Sequence, residues 1–553
     1  PLYDGKAISY IGNAFCRYND DLYLFTNYSR IYRLNYDTNE FHLCFNMPEP
    51  DGHILFAKAN KGKLWVLTNK YGLYKIDLST FTLDDHFDVF DGNIAAQVKA
   101  FYIDRNEHLW FGSLSGLHIL DPEKRQWTRL IHSKTDPFSL PNSSIWTINE
   151  DRQKNIWLGT YSGALCYVNL EEKKAFKTFI PQENQLSHTP VSAFAEDKNY
   201  IWVGTEGGGI NRINKETNQF TYHKGTFNNV KSIIVDKDLN LWTAMYKGGL
   251  DYYNTKTNTV RNFKSVKNKN SLLNNDIRKI ILERDSGLWI VYQHQKPTIS
   301  FYSFKQNRFQ HFNIDDNGES GYIFDILRSG ENDLWMITNK KLYKMSIDNC
   351  SVKAIQQKDS MFMNFSTLCL DDSGNLWMGT IGNGLVKYTP NTSEFTIFPD
   401  ILKYNIHAIY SICHDNEGNL WIGTDNGLIS YNIKKNSYSK YDKNDGTQGQ
   451  VFYPLATMKG SKGELYFGGT NGFSIVYPKS VTVNTYKPKV IISDLLLDHK
   501  PARFSFLPKD TLLAVNELVL NYDQTNFGFR FSSDNYMIPE KNRYKYRLKG
   551  YDD

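Results

Sequence analysis

Six cysteines in 553 residues, at 16, 44, 166, 350, 369 and 413, form no CxxC pair and no close regular spacing. That excludes a disulfide framework and a cysteine zinc site. The thirteen histidines include no HExxH pair, so no metal and no cofactor is expected. Charge of one sign is missing too: 64 Lys and Arg face 59 Asp and Glu, and the net +5 is spread without a basic tract. Nucleic acid is therefore not an expected partner. No stretch approaches the roughly 18 consecutive apolar residues of a membrane-spanning helix; Val490 to Leu497 comes nearest and is broken by Asp494. The start carries no secretory signal, and Pro1 stands where Met would begin a chain. Both ends read as cut from a longer chain, which places any membrane anchor in parts not present here.

What is abundant is aromatic. Phe, Tyr and Trp make up 15% of the chain, with 37 Gly and only 22% charged residues. This composition favours strands and turns over charged amphipathic helices. The length exceeds the roughly 250 to 300 residues at which one core stops growing, so more than one domain is expected.

An internal repeat organises nearly the whole sequence. Tyr23, Trp65, Trp110, Trp157, Trp202, Trp242, Trp289, Trp335, Trp377, Trp421 and Tyr466 follow one another at intervals of 40 to 47 residues. The best-kept copies read IWLGT from Ile156, IWVGT from Ile201, NLWMGT from Asn375 and NLWIGT from Asn419. Around each anchor, alternation such as Ile409-Tyr410-Ser411-Ile412 leads through a polar turn into the aromatic strand, the pattern of a hairpin. Asn383-Gly384, Asn426-Gly427 and Asn471-Gly472 then supply a second tight turn. Four short antiparallel strands in about 45 residues make one blade of a β-propeller. The Trp is expected to bury area between blades, and the Gly two residues after it to let the turn close.

Eleven blades exceed the four to eight of one ring. The fold class is therefore all-β: tandem propellers of the seven-bladed type followed by the start of an Ig-like sandwich. The last repeat ends at Pro478 without its fourth aromatic strand, so an earlier segment, 174–180, is expected to close the ring. This gives residues 1–175 as the last four blades of a first propeller, 176–480 as a complete seven-bladed one, and 481–553 as a truncated sandwich. Its strands are expected at Val490 to Leu497, Leu518 to Tyr522, Phe527 to Phe531 and Tyr544 to Leu548.

The segments Leu368 to Tyr388 and Tyr410 to Tyr431 resemble two-component-regulator propeller repeats. GELYFGGTNGF from Gly463 is similar to the last blade of that family, and NRYKYRLKGYD from Asn542 to the signature of its triple-tyrosine sandwich domain. The resemblance implies the extracytoplasmic, periplasmic sensor region of a hybrid histidine kinase and response regulator. Such a region binds an oligosaccharide and signals across the membrane to control polysaccharide-utilisation genes. It also implies a homodimer through the sandwich. Two departures stand out: the family carries more blades than the eleven here, and the Trp242, Trp289 and Trp335 repeats lack the Gly-Thr pair.

Catalytic sets do not assemble from the sequence. A glycosidase needs two carboxylates flanking one bond, but the repeated Asp151, Asp371 and Asp415 fall in hairpin turns, where Asx hydrogen bonds explain them. Calcium loops ending in Glu are absent. No catalytic residue is assigned and the chain is read as non-enzymatic, a propeller lyase or glycosidase and a protein-binding scaffold being the alternatives. Cys369 and Cys413, equivalent in adjacent blades, are expected as two buried thiols.

Ligand residues should vary where packing would keep them uniform. The second position of the innermost strand reads Lys99, Trp146, Ser192, Lys231, Arg278, Phe324, Ser366 and Tyr410 along the chain. Aromatic faces stack on sugars, and bases pair with uronate or sulfate. Trp146, Lys231, Arg278, Phe324 and Tyr410 are the candidate ligand-binding residues, with the loops Tyr246-Lys247 and Gln293 to Lys296 behind them.

Overall fold

The computed structural model describes residues 2–3, 6–7, 12–26, 30–49, 53–88, 97–133, 139–162, 164–169, 175–182, 185–223, 225–268, 270–293, 296–315, 321–356, 364–481, 487–501, 522, 525–536, 539–547 and 550. The chain divides into two compact units, 172–485 and a second formed by 1–171 with 486–553.

In the 172–485 unit the described residues form seven four-stranded antiparallel sheets. Their innermost strands are Val191–Glu196, Val230–Val235, Ile277–Glu283, Ile323–Ser329, Phe365–Leu370, Ile409–His414 and Phe452–Lys459, hereafter the first to seventh blades. Each innermost strand neighbours the next, and the seventh neighbours the first, so the sheets close a ring. Closure is made by Phe176–Phe179, which pairs antiparallel with Gly472–Val476 as the outermost strand of the seventh blade. Phe179 stacks on Phe473 at 4.7 Å, and Thr178 Oγ1 donates to the Gly446 carbonyl at 2.5 Å.

Blades adhere through the aromatic anchors. Trp377 lies in one apolar cluster with Ile409, Ile412 and Leu420 of the following blade, and Trp421 in another with Phe452, Leu465 and Phe467. The glycine two residues after the anchor has a different role from turn closure. Gly204, Gly379 and Gly423 are not in the left-handed region. A Cβ on Gly204 would lie 2.5 Å from Val230 Cγ1, and one on Gly379 2.5 Å from Ile409 Cγ2, each at the first residue of the next blade's innermost strand. The glycine is there because the neighbouring blade approaches its backbone. The turn is instead held by the threonine: Thr424 Oγ1 donates to the Gly427 carbonyl at 2.7 Å and accepts from the Asn426 amide at 3.0 Å.

The other unit holds three four-stranded sheets spanning 12–46, 54–87 and 98–130, and a three-stranded sheet spanning 145–169 among the described residues. It also holds a sheet in which Val490–Leu497 pairs with Phe527–Ser533 and with Lys500–Pro501. Tyr544 to Leu548 departs from expectation: residues 544–547 form no strand, because no described strand runs alongside to accept their backbone bonds, and Leu548 lies outside the described residues. Of Leu518 to Tyr522, residues 518–521 also lie outside them. Gln153 of the 145–169 sheet exchanges bonds with Asn535 and Tyr536, donating at 3.1 Å and accepting at 3.0 Å, and Trp157 meets Tyr536 edge-on at 5.2 Å.

Candidate functional site: the channel mouth of the seven-bladed ring

A β-bulge marks the second position of the innermost strands. The register shifts between Val230 and Ser232, Ile277 and Lys279, Ile323 and Asp325, and Ile409 and Ser411, in each case skipping the candidate residue. Bulges re-aim side chains out of the ladder. In the seventh blade the irregularity widens to the stretch between Phe452 and Thr457, with Leu455 at φ 60°. Tyr453 occupies the equivalent second position there.

Three of the candidates meet at this end of the ring. Lys231 Nζ pairs with Glu206 of the first blade, and Tyr453 OH donates to the same carboxylate oxygen at 2.6 Å, with Lys231 Nζ 3.4 Å from the phenol oxygen. The second and seventh blades thus converge on one carboxylate of the first. Lys231 also lies 5.6 Å from the Tyr246 ring centre. Arg278 Nε donates to the Phe324 carbonyl at 2.7 Å, and the guanidinium lies 5.0 Å and 5.8 Å from the Phe324 and Tyr322 rings, which stack on each other at 4.5 Å.

Electrostatics join the two groups. Burial pulls the Arg278 guanidinium below its usual value, against the opposing pull of Tyr322, Asp325, Tyr453 and Asp276. Burial raises the Asp276 carboxyl, against Lys231, Lys247 and Arg278. The Tyr453 phenol is pushed up by burial and by Glu206. Beneath the mouth lies a cavity of about 170 Å³ lined by residues including Ser232, Lys279, Asp325, Thr367 and Thr457. Lys279 and Asp325 form an ion pair at 2.5 Å there, and Asp325 also accepts from the Leu368 amide at 2.7 Å.

Tyr410 stands apart from this group. Burial and Asp425 raise its phenol, and no hydrogen bond or ring contact joins it to Lys231 or Arg278 among the described residues. Ser192 and Ser366 are tied to the next blade, donating to the Val230 and Ile409 carbonyls at 2.5 and 2.6 Å. Trp146 belongs to the other unit, where its half-exposed ring lies 5.4 Å from Tyr161 and 5.6 Å from Lys99 Nζ. Of the loops, Tyr246 is at the mouth, whereas 294–295 lie outside the described residues.

Glu206, Tyr322, Asp276 and Tyr453 were not singled out from sequence. Two signals existed: Glu206 and Tyr246 each stand four residues after an anchor Trp, and Asp276 and Tyr322 each immediately precede an innermost strand. Both positions vary from blade to blade, as the second strand position does. Tyr453 was hidden by Pro454, which interrupts the alternation of the seventh blade.

A closed ring of seven blades, a second set of propeller blades and a following β-sheet define a tandem β-propeller protein. The chain carries two component regulator propeller repeats, matched by that family's model at residues 139–162 and 404–426. Histidine kinase P4 of Formosa agariphila is 26% identical over 393 residues, which is 66% of this chain and 28% of that protein. The chain thus spans little more than a quarter of the length of the curated relative it matches. The extracellular domain of the hybrid two-component system BT3049 from B. thetaiotaomicron shares the fold, with a TM-score of 0.65 and 22% identity over 93% of this chain and 74% of that one.

Proposed function

We propose that this chain is the extracytoplasmic sensor region of a hybrid histidine kinase and response regulator, lying in the periplasm. It binds an oligosaccharide at the channel mouth of the seven-bladed ring, and binding controls polysaccharide-utilisation genes through output parts outside the chain. The observation that carries the reading is the convergence of Lys231, Arg278, Tyr246, Tyr322, Phe324 and Tyr453 on that mouth, cations beside aromatic faces. Sugars present apolar ring faces ringed by hydroxyls, and such a lining meets both. Glu206 of the first blade, bonded from the second and the seventh, gives the ligand something to reorganise, since only differential affinity for two arrangements can switch a receptor. The reading includes a homodimer through the C-terminal sheet, because two kinases must be brought into register.

The test is thermal unfolding of the chain against a size-graded panel of plant and host oligosaccharides, with chromatography of each mixture afterward. A ligand at a hundred times its Kd stabilises by about 2.7 kcal/mol. A stabilising sugar recovered intact supports the sensor. A sugar recovered cleaved makes the chain an enzyme, and no shift across the panel favours a protein-binding scaffold.

A further inference from the structure

One corner of the mouth holds two opposite charges that do not satisfy each other. Asp276 and Arg278 flank Ile277 at the start of the third blade's innermost strand. Among the described residues Arg278 forms no ion pair with any carboxylate, and Asp276 none with any cation. Of the mouth's other cations, Lys231 is matched by Glu206 and Lys279 by Asp325, while Lys247 Nζ lies 5.0 Å from the Tyr246 ring. Arg278 spends Nε on the Phe324 carbonyl, which fixes the guanidinium plane and leaves its two terminal nitrogens without an acceptor among the described residues. Asp276 Oδ1 is buried and has no hydrogen-bond partner.

Such a buried orphan acceptor costs about 1 to 3 kcal/mol, and a desolvated cation with no carboxylate in contact is costlier still. Both groups are completed together by an occupant that carries an acceptor anion and a donor hydroxyl. Free sulfate would satisfy the guanidinium but carries no hydroxyl to donate to Asp276. A neutral sugar would donate a hydroxyl to Asp276 and leave the guanidinium unmatched. A sugar bearing both an acidic group and a hydroxyl serves each: the acid accepts from the terminal guanidinium nitrogens as a fork, and the hydroxyl donates to Oδ1. The stacked Tyr322 and Phe324 rings stand beside that position.

We propose that Arg278 and Asp276 form a subsite for an acidic sugar residue, a uronate or a sulfated hexose, within the oligosaccharide bound at the mouth. The inference rests on the sensor reading above and specifies the ligand's charge.

The experiment is calorimetric titration of the 553-residue chain with oligogalacturonides and chondroitin sulfate oligosaccharides. Each is run against its carboxyl-reduced or desulfated counterpart, with xylo-oligosaccharides as neutral probes. The acidic form of at least one probe is expected to bind about tenfold or more tightly than its neutralised counterpart. Arg278→Gln should bring that ratio close to one without lowering the melting temperature of the free protein. Should Arg278→Gln not fold, the wild-type ratio and the weakening of the acidic probe by Arg278→Lys, which keeps the charge but loses the fork, decide the matter. A neutral probe that binds as tightly as any acidic one overturns the subsite and leaves the sensor standing, as does a selectivity ratio unchanged in folded Arg278→Gln. Silence from acidic and neutral probes alike overturns the sensor reading and this inference with it.

Discussion

The indole Nε1 of Trp421 donates to Oδ2 of Asp415 at 2.8 Å, across the turn that joins the first two strands of the sixth blade. The same carboxylate accepts from the Glu417 and Asn419 amides, each at 2.8 Å, and from the Asn419 side chain at 2.9 Å. The pairing recurs as Asp371 with Trp377 at 2.8 Å, Asp151 with Trp157 at 2.7 Å and Asp197 with Trp202 at 2.6 Å. In the third blade Glu283 takes the place of the aspartate, at 3.0 Å from Trp289 Nε1. One buried carboxylate therefore fixes both the turn and the indole that packs on the next blade.

Asp415→Ala is accordingly expected to destabilise the 172–485 unit by about 3 kcal/mol, since it strands several buried donors at once. The exposed Asp238→Ala should change stability by less than about 0.5 kcal/mol. Urea unfolding followed by tryptophan fluorescence measures both. Equal midpoints for the two variants would mean that water replaces the carboxylate.

The repeat was legible because packing demands the same residues in every blade. Trp421 must fill the space against Phe452 and Phe467, Gly423 must let the next blade approach, and Thr424 must hold the turn, so spacing alone reveals the ring. The site was legible only in part. Lys231, Arg278 and Phe324 share one strand position and could be read down a column, but Glu206, Tyr246, Asp276 and Tyr322 reach the mouth from other offsets. Sequence order does not place residues of the first, second and seventh blades around one carboxylate; ring closure does. Tyr410 and Trp146 show the converse, since an equivalent strand position left one without contact to Lys231 or Arg278 among the described residues and the other in a different unit.

Close approach and backbone conformation separate two glycines of the same blade. A Cβ on Gly423 would meet Ser411 Oγ at 2.5 Å and Phe452 Cβ at 3.1 Å, whereas Gly418 stands at φ 80° with nothing within 4 Å. Gly423→Ala should cost about 2 to 3 kcal/mol by forcing blades apart, and Gly418→Ala about 1 kcal/mol through its left-handed backbone alone. Denaturant midpoints of the two variants check the order, and a reversal would show that the sixth and seventh blades separate readily.

Closure by Phe176–Phe179 makes that strand unequal to other outermost strands. Lys177→Pro removes a ladder donor where the two ends of the ring are joined, and should cost about 3 kcal/mol or more. Thr396→Pro, in the outermost strand Glu394–Phe398 of the fifth blade, disturbs an edge without opening the ring and should cost less. Calorimetry resolves the comparison. Identical melting of the two variants would mean that blade-to-blade packing, rather than the closing strand, holds the ring.

His118 supplies a pH-dependent term in the 1–171 region. It lies on Gly116–Asp121, paired with Phe111, and is buried at 1% exposure. Burial, with Arg129 nearby, lowers its imidazole to about 4. An unfolded histidine titrates near 6.5, so between these values the unfolded chain binds the proton and the folded chain does not. Stability is then fully present above pH 6.5 and falls as the pH drops toward 4, by about 3 kcal/mol over that interval. Urea unfolding of the wild-type chain and of His118→Gln at pH 7 and pH 4.5 measures the difference. The unit containing residue 118 should lose less stability on acidification in the variant than in the wild type, because the variant has no imidazole to protonate on unfolding. Equal losses would place the proton on a folded, accessible ring and contradict its burial against Phe111.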